Sequence, residues 1–158
     1  MEQIVPNKKI DPNNYIEPDE LVNLIEVFWK EKDRFIDGYV QKNPLNLTYR
    51  NLNIIKDFKY GMRKNFLLAV YEKNYTVLND EGINYMVKGL NENLDKFIPA
   101  EKTPMLIQTA IMPFNGMIIY DGFISTADMQ LSQKLVSKAF EDYSYGQKIY
   151  SLLPKNMN

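Results

Sequence analysis

Between Leu106 and Ile124 the chain reads LIQTAIMPFNGMIIYDGFI, two apolar arms joined through Pro113-Phe114-Asn115-Gly116. A two-residue turn between antiparallel strands needs positive φ at both central positions, and Asn followed by Gly meets that at little cost. The segment therefore predicts a long β-hairpin. Met105–Met112 taken alone also fits a short amphipathic helix, because an apolar run of that length satisfies both periods. In that case Pro-Phe-Asn-Gly is a helix-to-strand turn and Met117–Ile124 remains a strand.

The rest of the chain supplies partners for such a hairpin. Met1–Ile16 is polar, holds Pro6 and Pro12, and reads as an extended arm. Pro18 suits the first position of a helix, with Asp19 and Glu20 at its positive end. Leu21, Leu24, Ile25, Phe28, Phe35, Ile36 and Tyr39 continue that helix on one stripe up to Asn43-Pro44. A second helix is expected over Leu47–Phe58. From Asn65 the period becomes extended: Asn65–Glu72, Tyr75–Leu78 and Ile83–Gly89 form a meander, with turns at Lys73-Asn74 and Asp80-Glu81-Gly82. Asn91 is placed to cap a short helix ending at Pro99. Ser125 and Asp128 have capping-box spacing before a helix that runs to about Tyr143, lined by Leu131, Leu135, Ala139 and Tyr143. Ile149–Leu153 suits a last edge strand or an extended clasp. The expected fold is α+β: N-terminal helices packed on an antiparallel sheet of about five strands, meander plus long hairpin, with a long C-terminal helix. Residues 1–16 are an arm and 17–158 a single domain.

The chain has no histidine and no cysteine. Ser-His-Asp and Cys-His catalysis, zinc sites with Cys or His ligands, and thiolate-bound iron–sulfur clusters are thereby excluded. Chemistry would fall to carboxylates, Lys, Tyr, Ser or Thr, or to a hard cation held by oxygens. No Gly-x-Gly-x-x-Gly turn, phosphate-binding loop or EF-hand occurs, and no cofactor or metal is indicated. Asp57-Phe58-Lys59 has a nuclease-like spacing but falls on an expected helix. At 158 residues the chain can bury about 70% of the surface it exposes unfolded. A net charge of −1 argues against a protein that coats nucleic acid. No run approaches the roughly 20 apolar residues of a membrane span. With no signal-like start, the expectation is a soluble cytoplasmic protein.

Two groups of residues stand out as candidate sites. Tyr120-Asp121-Gly122 is the sharpest polar interruption of the hairpin. An acid among apolar neighbours suits proton transfer or cation binding; alternatively Asp121 accepts backbone hydrogen bonds at a bulge that Gly122 allows. Arg50, Lys56, Lys59, Arg63 and Lys64 face only Asp57 within their segment, a balance of +4, with Tyr49, Phe58 and Tyr60 interleaved. That pattern suits phosphate contact with base stacking. Asp11–Asp37 carries a balance of −5, so these two segments can equally face each other or water.

Pro113, Phe114, Ile118, Ile119, Tyr120, Asp121 and Gly122 together resemble a Pro-Phe turn, Ile-Ile-Tyr-Asp strand and following Gly found in a group of bacterial proteins with no assigned activity. The resemblance implies an α+β fold and carries no function. Three functional expectations follow from the residues: a non-catalytic interaction or regulatory module that recognises a protein partner or a second copy, a nucleic-acid-binding protein using the basic segment 50–64, or a carboxylate- and tyrosine-based enzyme around Asp121 and Tyr120.

Overall fold

The computed structural model describes residues 16–127 and 130–155. The expected arm falls outside them but for Ile16. A boundary between Lys32 and Asp33 divides the described chain into two compact units. The first contains α1 (Pro18–Lys30), with Pro18 in its first turn beside Asp19 and Glu20. The single helix expected to reach Asn43 is in fact two. At Glu31 (φ −119°, ψ 27°) the N–H is shared between the Val27 and Phe28 carbonyls, which tightens the last turn and ends α1.

From Asp33 on, the second unit takes in α2 (Lys32–Lys42, all but its first residue) and α3 (Tyr49–Asp57). Between them Asn43 takes φ 40° and grips Leu47 with both ends of its amide. Thr48 accepts the Asn51 N–H and so caps α3. A 3-10 turn at Phe58–Tyr60 then delivers the chain to the strands.

Among the described residues seven strands follow: β1 (Met62–Tyr71), β2 (Thr76–Asp80), β3 (Ile83–Lys88), β4 (Met105–Phe114), β5 (Met117–Tyr120), β6 (Ser125–Thr126) and β7 (Gln147–Ile149). The hairpin forms as β4 and β5. Asn115 and Gly116 take φ 47° and 76°, the conformation that a glycine adopts without penalty. Met105–Met112 is therefore strand, and β5 stops at Tyr120 instead of continuing to Ile124.

The sheet corrects the expectation of five antiparallel strands. Among the described residues it has seven, it is mixed, and it closes on itself. β1 pairs with β2, β2 with β3, β3 with β5, β5 with β4, and β4 back with β1. The β3–β5 and β3–β7 contacts are parallel. A ladder irregularity between Leu68 and Val70 lets one end of β1 serve β4 and the other serve β2. The circuit is a closed five-stranded sheet. Its interior is filled by Phe66, Leu68, Leu78, Val87, Ile107 and Ile118, with Leu94 and Ile98 closing it from the β3–β4 connection.

That connection is not the helix expected after Asn91. It is two 3-10 turns, Leu94–Lys96 and Ala100–Lys102. The final helix also starts later than expected. Ser125 is committed to the ladder opposite Gln108, Asp128 lies outside the described residues, and Ser132 caps α4 (Gln133–Tyr145) by accepting the Leu135 N–H. Helix α4 buries Ala139 and lies across β1, β2 and β3, whereas α3 rests on β4. The two helices thus do not share one face. Leu135, expected to point inward, is half exposed, as is Phe140.

Polar contacts lock α4 in place. Asn79 donates to Asn84 (3.0 Å), which donates to the Asp142 carbonyl near the helix end (2.8 Å). At the β1–β2 turn, Tyr143 Oη and Lys148 Nζ both donate to Glu72 Oε1, at 2.7 and 3.3 Å. The Tyr143 hydroxyl, and after it Lys148, hold the Glu72 carboxyl below its ordinary 4.5 against the opposing effect of partial burial. A carboxyl whose folded value is lowered contributes fully above its unfolded value and loses that contribution as pH falls through the folded one. The urea midpoint should therefore drop as pH falls below 4.5, with part of the drop absent in Glu72→Gln. Identical slopes in the two proteins would refute the role of this contact.

Candidate functional site

An open cleft of about 610 Å³ lies in the second unit between the residues that follow β3 and the β4–β5 hairpin. Leu90, Asn91, Glu92 and Phe97 form one wall; Met112, Phe114, Ile119 and Tyr120 form the other. Phe58 adds a further ring, and the Asp121-Gly122 turn lies at the end of β5.

The first wall owes its position to two tyrosine hydroxyls. Tyr120 Oη donates to the Glu92 carbonyl at 2.6 Å, and Tyr71 Oη donates to the Ile98 carbonyl at 2.7 Å. Burial, with the charge of Asp95 adding to it, pushes the Tyr71 phenol up to about 12. Burial likewise raises Tyr120, followed by the charges of Glu92 and Asp95. Both hydroxyls thus stay protonated as donors and keep the connection seated. Asn93 Oδ1 accepts the Gly89 N–H at 3.0 Å and starts the first 3-10 turn. Within the connection, Leu94 and Ile98 turn into the barrel while Leu90 and Phe97 remain 56% and 59% exposed.

Asp121 closes the hairpin side. Its N–H continues the ladder to the Ala110 carbonyl, and its Oδ1 accepts the Phe123 N–H at 3.0 Å, an Asx-type turn. The Thr109 hydroxyl, buried in the barrel, lies 3.5 Å from the same oxygen. Gly122 has φ 87°, a conformation that strains any residue with a Cβ. Asp121 and Tyr120 therefore both line the cleft, and both also hold backbone.

The basic segment is distributed over three elements. Arg50 and Lys56 are exposed on α3, with Lys56 Nζ 5.8 Å from the centre of the Tyr49 ring. Lys59 pairs with Asp37, which joins the basic segment to the acidic one, and Lys64 pairs with Asp80 at 2.7 Å. Arg63 makes long contacts to the Phe123 carbonyl and to Gln108, at 3.5 and 3.4 Å.

No protein-family model, curated protein or solved structure matches this chain. Among the described residues no group of three or more acidic side chains gathers that could hold a metal ion, and no helix is long and apolar enough to cross a membrane. The sequence singled out Tyr120 and Asp121. It did not single out Leu90, Glu92 or Phe97 as site residues. The signal for Leu90 and Phe97 was the spacing of Leu90, Leu94, Phe97 and Ile98, which has too many apolar residues for one short buried turn to hide; Glu92 carried none.

Proposed function

We propose that this protein is a non-catalytic interaction module that seats a segment of a protein partner in the cleft between the β3–β4 connection and the hairpin. The observation that carries the reading is the exposure of Leu90 and Phe97 at an already formed, mostly apolar recess. Exposed apolar groups bordering a concave surface favour a partner that covers them. Catalysis is the weaker reading, because Tyr120 commits its proton to a carbonyl and Asp121 accepts a backbone N–H. Nucleic acid is weaker as well. Helix α4 lies across β1, β2 and β3 and covers that part of the sheet, while Lys59 and Lys64 are ion-paired. In this reading the module works in the cytoplasm.

A benzophenone-bearing residue placed at Phe97 tests the proposal in cells, with the same group at Tyr145 as comparison because that side chain is 88% exposed on α4. Discrete protein adducts should form from position 97 only; a mass of two chains would identify a second copy as the partner. No adduct at 97, or the same adducts from both positions, would remove the cleft as a docking seat.

A further inference from the structure

Asn115 is the one asparagine in the chain that a glycine follows. Both residues are exposed at the tip of the hairpin, beyond the last ladder pair, Phe114 with Met117. Among the described residues the Gly116 N–H finds no backbone acceptor and the Asn115 amide no partner. This sets Asn115 apart from Asn43, which grips Leu47, and from Asn79 and Asn84, which are buried and bonded. The space beside Gly116 is open: a Cβ there would meet nothing within 4 Å. With no Cβ of its own, Gly116 lets another group approach its nitrogen closely. Asn115 thus has an exposed, unbonded and unshielded nitrogen next to its side-chain carbonyl carbon.

We infer that Asn115 is a site of spontaneous covalent modification whose co-reactant is water. The Gly116 nitrogen gives its proton to solvent base and bonds to the Asn115 side-chain carbonyl carbon. The bond from that carbon to the side-chain nitrogen breaks, and the nitrogen takes up a proton and leaves as ammonia. Water then opens the cyclic imide that remains. Attack at the side-chain carbonyl breaks the new bond and leaves aspartate. Attack at the main-chain carbonyl breaks the original peptide bond and leaves isoaspartate, with the backbone routed through the former side chain. Either product carries a carboxylate in place of a neutral amide. Aspartate followed by glycine suits the same two-residue turn. Isoaspartate adds a methylene to the backbone of that turn, so Phe114 and Met117 lose their spacing across it. Phe114 lines the cleft, and its displacement reshapes that wall. The chemistry needs no partner, so it stands apart from the docking proposal.

Prolonged incubation of the full chain in mildly alkaline buffer, followed by peptide mapping, tests the inference. Asn74, Asn91 and Asn93 are internal controls: they are exposed as well, but Tyr75, Glu92 and Leu94 follow them. Ammonia loss at Asn115 should outpace loss at those three by about tenfold, since each of their following residues sets a Cβ beside the attacking nitrogen. Its rate should rise with pH, because that nitrogen must first lose its proton. Gly116→Asn tolerates the same positive φ and should slow the reaction by about tenfold. Molecules that carry isoaspartate should show the Phe114 and Met117 backbone amides displaced further than Asn115→Asp displaces them. An intact Asn115, or equal conversion at all four asparagines, overturns the inference. Isoaspartate that moves Phe114 no more than Asn115→Asp does overturns its effect on the cleft.

Discussion

Replacing Phe66 by alanine should lower the unfolding free energy of the barrel by about 3–5 kcal/mol. The ring is fully buried on β1, lies opposite Ile107 of β4, and meets Tyr85 of β3 edge-on at 5.9 Å between centres. It therefore touches both sides of the closed sheet. Truncation removes its transfer energy, leaves a cavity that a hydrogen-bonded ring cannot collapse to fill, and loses an aromatic pair worth about 0.5–1.5 kcal/mol beyond its area. Urea unfolding followed by tyrosine fluorescence measures the loss. Phe66→Leu should recover more than half of it. A loss of less than about 1 kcal/mol for the alanine variant would mean that the barrel interior is not packed as described.

Gly89→Ala should cost at least about 2 kcal/mol, and it should also disturb the cleft. A Cβ at this position would lie 1.8 Å from the Glu92 carbonyl oxygen and 2.4 Å from its carbon. These are backbone atoms, and they cannot rotate away as a side chain does. The connection would have to lift, straining both the Gly89 N–H contact to Asn93 and the Tyr120 contact to Glu92. Gly38→Ala is the informative control, because nothing lies within 4 Å of its added methyl group. Inside α2 that change should stabilise by about 0.5–1 kcal/mol. Opposite signs for the two substitutions, with amide shifts of Asn91 and Gly122 in the first only, would establish that the close approach at Gly89 shapes the site. Equal effects would refute it.

Local chemistry made much of this fold readable. Asn115-Gly116 specified its turn, the β-branched and aromatic runs specified β1 to β5, and Pro18 marked the start of α1. Ring closure was not readable, because it depends on pairing β1 with β4 far along the chain and on one irregularity near Ala69 that no local pattern announces. The parallel contact of β3 with β5 is equally non-local. The break at Glu31 was hidden because the apolar stripe runs through it.

The candidate site divides in the same way. Tyr120 and Asp121 were visible as polar residues in an apolar strand. Leu90 and Phe97 were not, because their exposure follows from the connection forming 3-10 turns in place of an α-helix. In a helix, Leu90, Leu94, Phe97 and Ile98 would share one side; in the observed turns only Leu94 and Ile98 are buried.

Every strand of the five-membered ring has a bonded neighbour on each side. A visiting polypeptide consequently finds little backbone to zip onto there, and strand addition, one recurring way for a sheet to recruit an extended peptide, is blocked around that circuit. Whatever this molecule recognises there must be read by side chains, so its selectivity can be retuned by surface substitution without reopening the scaffold.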